Sequence, residues 1–192
     1  MQYENAWAAD PEGLRDLAFR LLGKFASIQE FSETLAVWHV RKTSPRIADV
    51  IEGSVLGRMR DEDRIDWFRA VIEDCGIADL PVDAIVGTVG QAKPIRDHIA
   101  HSPGVNPLFT KDGWELGVQW FAKADKRAKK VPRLTQSVLQ GHGDRLDWVL
   151  DWIVWIANQA GYAKTRNLRG ESITPPRPSD NPPAFPKPEF TV

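Results

Sequence analysis

The sequence lacks several features that mark common classes of protein. Its 192 residues include one cysteine, Cys75, so no intramolecular disulfide and no metal site built from several cysteines can form. The formal net charge is -1, which excludes binding of nucleic acid through bulk positive charge. No apolar run approaches the roughly 20 residues that span a bilayer, and the first ten residues lack a leader pattern. These absences predict a cytoplasmic protein that does not enter a membrane.

Helical periodicity is the main pattern that the sequence does contain. Apolar residues recur at spacings of three and four along most of the chain, as in amphipathic helices. Start signals precede four such stretches: Asp10-Pro11, Ser44-Pro45, Asp61-Glu62-Asp63 and Thr135. The first stretch runs to about Lys42, and a later one leads into Pro94 as one kinked helix or two nearly continuous ones. We expect a mainly all-α domain of about five helices over residues 1–170.

A short region at about residues 107–122 departs from this pattern. Two apolar runs flank Lys111-Asp112-Gly113, and an Asp-Gly pair favours a tight hairpin turn. Trp114, Leu116 and Val118 share one face of the second run because strand side chains alternate. We therefore expect a small inserted β-hairpin that packs on the helices through that face.

The stretch after Thr135 combines a broad apolar surface with three tryptophans. Trp148, Trp152 and Trp155 follow one another at spacings of four and three, so they share one helix face. Such a surface is core, a subunit interface or both. Earlier in the same stretch, the glycines of Gly141-His142-Gly143 predict an interruption of the helix.

Proline dominates the end of the chain. From Thr174 onward there are seven of the chain's 14 prolines, so residues 171–192 cannot form the interior of a helix or sheet. We expect an extended tail. Three arrangements stay open for it: the tail wraps the body, binds a partner or remains mobile.

The segment with the most chemically active side chains is Lys93-Pro94-Ile95-Arg96-Asp97-His98-Ile99-Ala100-His101. Pro94 suits the first turn of a helix, and Pro103-Gly104 would end it. Asp97 and His101 lie four apart on one helix face, so the carboxylate can orient the imidazole. Arg96 and His101 lie five apart, which places them only partly on the same side.

The hexapeptide Arg96-Asp97-His98-Ile99-Ala100-His101 resembles the R-x-x-x-x-H motif of HEPN domains. These are small all-helical proteins, many of them metal-independent endoribonucleases, in which a polar residue such as Asp97 commonly follows the arginine. The resemblance covers these six residues in detail and residues 10–161 in general layout. It implies a HEPN-like helical bundle without a metal or other cofactor. It also implies a homodimer in which each active site draws on both chains.

The resemblance implies catalytic roles for Arg96, Asp97 and His101. RNA carries its own nucleophile, the 2′-hydroxyl next to the scissile phosphate. His101 would transfer protons, and Arg96 would hold the phosphate oxygens. Asp97 would orient His101 or hold the guanidinium. The expected products are a 2′,3′-cyclic phosphate and a 5′-hydroxyl, and the expected biological role is that of a toxin or a phage-defence effector.

A basic run lies beyond the expected hairpin. Residues 123–133 hold six basic residues and one acid. The run is either a contact for the RNA backbone or a solvated loop, and both interpretations stay open. In the first, the RNA-binding residues are Lys123, Lys126, Arg127, Lys129 and Lys130. Trp114 and Trp120 would stack on bases or belong to the core.

A second class of function remains open beside the nuclease. A non-catalytic HEPN-like scaffold would bind nucleic acid or a protein partner, such as an antitoxin, through its tail and its aromatic surface. Arg96 and His101 would then only stabilise a helix end. A metal site at residues 97–101 is disfavoured, because only Asp97 and His101 have the spacing that ligands on a helix require. A catalytic Cys75 is disfavoured as well, because its acidic neighbours raise the pKa of the thiol.

Overall fold

The structure, a computed structural model, describes residues 10, 12–102, 104–118 and 133–184. Within these ranges the chain forms five α-helices and one two-stranded sheet. In chain order these are α1 (Leu14–Thr43), α2 (Pro45–Val50), α3 (Asp61–Asp74), α4 (Val82–Ala100), β1 (Val105–Thr110), β2 (Gly113–Val118) and α5 (Gln136–Gln159). A π-helical turn (Ile51–Val55) and a 3-10 turn (Leu56–Arg58) lead from α2 toward α3. The expected mainly helical fold with a small hairpin is confirmed.

Helix α1 is the centre of the bundle, since it contacts α2, α3, α4 and α5. Its buried side includes Leu21, Phe25 and Ile28. No helix among the described residues is long and apolar enough to cross a membrane.

Of the start signal expected for α1, Asp10-Pro11, Pro11 lies outside the described residues. The helix begins at Leu14, because the Asp10 carboxylate accepts the N–H groups of Leu14 at 2.7 Å and Arg15 at 3.1 Å. Phe31 and Trp38, which continue the apolar spacing, are 46% and 37% exposed. The buried stripe of α1 is therefore interrupted at Phe31 and continues through Leu35, Ala36 and Val37.

Helix α4 runs through Pro94 without a break. Of the two arrangements expected here, one kinked helix or two nearly continuous ones, the structure has a single helix, so Pro94 does not lie in a first turn. Proline cannot donate the hydrogen bond that would reach the Gly90 carbonyl, but Gly90 and Pro94 both lie on the exposed side, where the loss of that bond costs less than in the core. Ile95 and Ile99 anchor the following turns in the core, and the helix ends with His101 as its C-cap.

Helix α5 is continuous, so the expected interruption at Gly141-His142-Gly143 was wrong. The Thr135 hydroxyl accepts the Val138 N–H at 3.4 Å and caps the helix as predicted. His142 is buried in the core, and the Lys24 ammonium donates to the Gly143 carbonyl at 3.3 Å. Tertiary packing at this point outweighs the low helix propensity of glycine.

The expected hairpin is present, but its two-residue turn is Lys111-Asp112 and not Asp112-Gly113, because Gly113 pairs with Thr110 as the first residue of β2. Leu116 is buried, and its N–H donates to the Leu134 carbonyl at 2.9 Å. Strand β1 begins at Val105, two residues before the expected start. The expected end of the second strand lies outside the described residues.

Arg133, the last residue of the basic run, is a structural residue of this hairpin. Its side chain is nearly buried and donates to Glu115 at 2.6 Å, Asp112 at 3.1 Å and the Thr110 hydroxyl at 2.9 Å. The guanidinium therefore links both strands and their turn to the segment that precedes α5.

Of the three arrangements open for the tail, the described part adopts the first and lies on the body. The Ser179 carbonyl accepts the indole N–H groups of Trp148 at 2.7 Å and Trp152 at 3.3 Å. Both tryptophans are buried. The tryptophan surface of α5 is therefore covered by the protein's own tail, and it gives no support to a subunit interface.

Candidate functional site

The last two turns of α4 position the residues of the motif. Arg96 points toward the start of α3, where its guanidinium forms an ion pair with Asp61, and its second amino group contacts the Asp97 carboxylate at 2.8 Å. The guanidinium carbon lies 4.6 Å from the centre of the Phe25 ring. The side chain is 17% exposed. Arg96 is therefore held by three helices, α1, α3 and α4.

Asp97 is shared between two cations. One carboxylate oxygen contacts Arg96, and the other accepts from the Lys93 ammonium at 2.8 Å. Lys93 also lies 3.3 Å from Glu62. Of the two roles expected for Asp97, this geometry corresponds to holding the guanidinium, because both of its oxygens are engaged away from His101.

The charges of this cluster shift the pKa values of its members. Burial acts to raise the pKa of Asp61, but the hydrogen bond and charge of Arg96, together with Lys93 and Arg64, outweigh it, so that pKa lies below its usual range. The hydrogen bond to Asp97 raises the pKa of Lys93. Both shifts favour the charged forms of Asp61 and Lys93.

His101 lies at the exposed end of the site. Its backbone N–H donates to the Asp97 carbonyl at 3.0 Å, which closes the last turn of α4. Within the described part of the chain its imidazole makes no hydrogen bond or ion pair. His98, three residues earlier, is half-buried, and burial lowers its pKa. Of the two histidines, His101 is the one presented to solvent.

The structure thus brings Arg96 and Asp97 together with Lys93, and it leaves His101 further along the helix. Sequence analysis missed Asp61 and Phe25 as parts of this site. In the sequence Asp61 indicates only favourable charge at a helix start, and its separation of 35 positions from Arg96 leaves no local signal of the contact. The Nε atom of Arg96 is buried and has no hydrogen-bond partner among the described residues.

A cavity next to the site lies between α1 and α3, with Phe25, Gln29 and Asp61 in its lining. Its volume is about 30 Å³, which accommodates a water molecule and not a nucleotide. An RNA substrate would therefore have to lie on the surface, beside His101.

The remaining predictions concern the RNA-binding residues of the basic run, the two tryptophans near the hairpin, and a metal site. Lys123, Lys126, Arg127, Lys129 and Lys130 lie outside the described residues, as does Trp120. Trp114 is half-buried against the core and meets the exposed Phe109 ring edge-on at 5.3 Å. In the described ranges no group of three His, Cys, Asp or Glu residues is arranged to hold a metal ion.

A second polar cluster joins α1, α3 and the segment after α5. His39 Nε2 donates to Asp74 at 2.6 Å, and its Nδ1 accepts from the Tyr162 hydroxyl at 2.6 Å. Cys75 Sγ lies 3.9 Å from both His39 Nδ1 and the Tyr162 oxygen. Burial raises the pKa of the Cys75 thiol and raises the pKa of Tyr162 to about 12. Neither group ionises near neutrality, so this cluster is not an activated nucleophile.

Comparison with protein-family models, with curated proteins and with solved structures found no match to this chain. The resemblance to HEPN domains therefore rests on the hexapeptide at residues 96–101.

Proposed function

We propose that the protein is a metal-independent endoribonuclease with a HEPN-like fold. The observation that carries the proposal is an exposed histidine, His101, at the end of a helix that also carries a fixed arginine, Arg96. Their spacing is that of the R-x-x-x-x-H motif. Anchoring of the helix by Ile95 and Ile99 supports a rigid site.

Each residue has a role that follows from its chemistry. His101 accepts the proton of the 2′-hydroxyl or donates a proton to the departing 5′-oxygen, because imidazole titrates near neutrality. Arg96 offers planar donors to the phosphate oxygens as negative charge builds up. Asp97 and Asp61 fix the orientation of that guanidinium. The products are a 2′,3′-cyclic phosphate and a 5′-hydroxyl.

Two further features are proposed for the whole nuclease. The first, which comes from the resemblance, is a homodimer in which Arg96 of one copy and His101 of the other form one site. The second, which comes from the charge pattern of the sequence, is contact with the RNA backbone through the basic run at residues 123–130, which would give a cleavage rate that falls with salt. A toxin or phage-defence role would follow from unrestrained RNA cleavage.

A second candidate function is favoured by one observation, the ion pairs of Arg96. Both of its amino groups contact carboxylates, Asp61 and Asp97, and a phosphate would have to compete with them. A HEPN-like scaffold that binds nucleic acid or a protein partner without cleaving RNA needs Arg96 only for stability.

Cleavage assays with matched histidine variants distinguish the two candidates. Native protein, His101→Gln and His98→Gln are incubated with total RNA and tRNA in excess chelator. For the nuclease we expect His101→Gln to lose about 10²–10⁴-fold in rate, while His98→Gln keeps most of it. Arg96→Lys tests whether the phosphate needs the two parallel N–H donors of a guanidinium, because lysine keeps the positive charge and cannot donate in that bidentate geometry. Intact RNA throughout would favour the scaffold, and equal loss in both histidine variants of an active protein would contradict the role proposed for His101.

Mixing inactive variants tests the dimer. If Arg96 and His101 of different copies share a site, Arg96→Lys and His101→Gln chains together form one native site in each heterodimer. Recovery of up to about a quarter of native activity is expected from random pairing. Active native protein whose variants show no recovery would contradict the shared site.

A further inference from the structure

The tail contacts α5 through a groove lined by Trp148, Trp152 and Trp155. Two indole N–H groups converge on a single acceptor, the carbonyl of Ser179, at 2.7 Å and 3.3 Å. Trp152 lies edge-on to both of its neighbours, with ring centres 6.3 Å and 5.4 Å away. The tryptophans therefore form an aromatic surface with two indole N–H donors, and a backbone carbonyl of the tail accepts from both donors.

Arg177 provides a charged contact of the tail with these tryptophans. Its guanidinium carbon lies 5.5 Å from the centre of the Trp152 ring and 5.9 Å from that of Trp155. It also donates to the Asp79 carbonyl at 2.7 Å and to Asp180 at 2.8 Å. Cation–π contact with tryptophan favours arginine at this position.

Arg145 extends the groove toward α4. Its guanidinium donates to the Pro183 carbonyl at 3.2 Å, and on the other side to Thr88 at 3.3 Å and Gln91 at 3.1 Å. Side chains of α5 therefore donate hydrogen bonds to two backbone carbonyls of the tail, those of Ser179 and Pro183.

The partly buried residues of the tail are prolines. Over residues 174–184 the half-buried positions are Pro175, Pro178 and Pro182, and the others are exposed. Pro175 and Pro178 are three apart, the repeat of a polyproline II helix, which has free carbonyls for recognition. Aromatic grooves that bind such segments use ring faces for the prolines and donors for the carbonyls.

We propose that this groove is a binding site for proline-rich peptides that carry an arginine, and that residues 174–184 occupy it as an internal competitor. Eight of the eleven residues 174–184 are exposed, and a segment with so little buried surface opens at low cost. Release of the tail in one chain frees the groove for a similar segment in another polypeptide. The proposal does not depend on the nuclease.

The test uses the full-length chain and a fluorescent peptide that repeats residues 173–184. Arg177→Ala weakens the internal competitor and leaves the groove intact, so this chain should bind the peptide at least about tenfold more tightly than the native chain does. Arg169→Ala is the control: this exposed arginine precedes the tail, and among the described residues its side chain makes no contact with the groove, so the variant should bind like the native chain. Fluorescence anisotropy gives the affinities.

Groove variants test whether the peptide sits where the tail does. In the Arg177→Ala chain, Trp148→Phe removes the donor to the Ser179 carbonyl and should weaken peptide binding at least about tenfold, whereas Trp155→Phe should weaken it less. A peptide with alanine in place of arginine should also bind more weakly. Concentration-dependent dimers that the free peptide dissociates would support the proposal with a second copy's tail as the occupant.

One result overturns the proposal: a folded Arg177→Ala chain, shown by its circular dichroism and thermal unfolding, that binds no peptide saturably. The tail would then be a permanent part of the fold. If Arg177→Ala does not fold, Pro178→Ala replaces it as the loosened chain, with the same two outcomes.

Discussion

Removal of the Arg96 side chain should destabilise the fold whether or not the protein is a nuclease. Arg96→Ala leaves Asp61 and Asp97 without their shared cation and removes the contact with Phe25. The two carboxylates come from different helices, so the guanidinium links α3 to α4. The fold and the proposed chemistry therefore depend on the same residue.

The size of the effect follows from burial. Breaking a buried ion pair costs about 3–5 kcal/mol, and an exposed pair contributes about 0–1 kcal/mol. Arg96 is 17% exposed and each carboxylate 29%, between these limits. With a cation–π contribution of about 0.5–1 kcal/mol, we expect Arg96→Ala to lower the free energy of unfolding by about 2–3 kcal/mol. Arg96→Lys, which keeps the charge, should lose about half of that.

Denaturant unfolding followed by circular dichroism measures this change. Arg60→Ala is the matched control, because Arg60 pairs only with exposed Asp63 in its own turn, and it should lose less than about 0.5 kcal/mol. A double-mutant cycle of Arg96→Ala with Asp61→Ala should give a coupling of about 1 kcal/mol or more. A loss for Arg96→Ala no greater than that of Arg60→Ala would refute the ion-pair network.

Further predictions concern other parts of the fold. Burial lowers the pKa of the His142 imidazole to about 4, and the charge of Arg145 contributes to this shift. As pH falls below 6.5, His142 is therefore protonated in the unfolded chain before it is protonated in the folded protein. Stability should decline between pH 6.5 and 4, by up to about 3 kcal/mol from this group, and His142→Gln should remove that part of the decline; an unfolding difference between the two proteins that does not change with pH would contradict this. Asp10→Ala should cost about 1 kcal/mol of unfolding free energy through loss of its cap on α1. Gly76→Ala should destabilise the fold by about 1 kcal/mol, because Gly76 has a φ of 67° that alanine adopts at a cost. Gly87→Ala should stabilise it by about 0.5–1 kcal/mol, because Gly87 lies inside α4 and an added Cβ meets open space. Thermal unfolding that ranks the two variants in the opposite order would contradict the backbone argument.

Local signals predicted the elements whose cause lies within a few residues. Thr135 caps α5, and the hairpin turns within the predicted segment Lys111-Asp112-Gly113, one residue earlier than the Asp-Gly pair indicates. Each of these depends on backbone geometry that one or two residues determine.

Packing decided the features that sequence analysis did not find. The Gly141-His142-Gly143 segment stays helical because α5 is held against α1, and Pro94 is tolerated because it lies on an exposed face. The partner of Arg96, Asp61, and the position of the tail on α5 depend on contacts between distant segments. Periodicity indicates which face of a helix is buried and does not indicate what covers it.

The most direct test of the central claim is the chemistry of the RNA ends. Fragments made from tRNA and total RNA in excess chelator, by native protein and by His101→Gln, are analysed for their terminal groups. The account predicts 2′,3′-cyclic phosphate and 5′-hydroxyl ends from the native protein, and none from the variant above background. Fragments with 3′-hydroxyl ends, or the same fragments from both proteins, would contradict cleavage by the 2′-hydroxyl with His101 as the proton-transfer group.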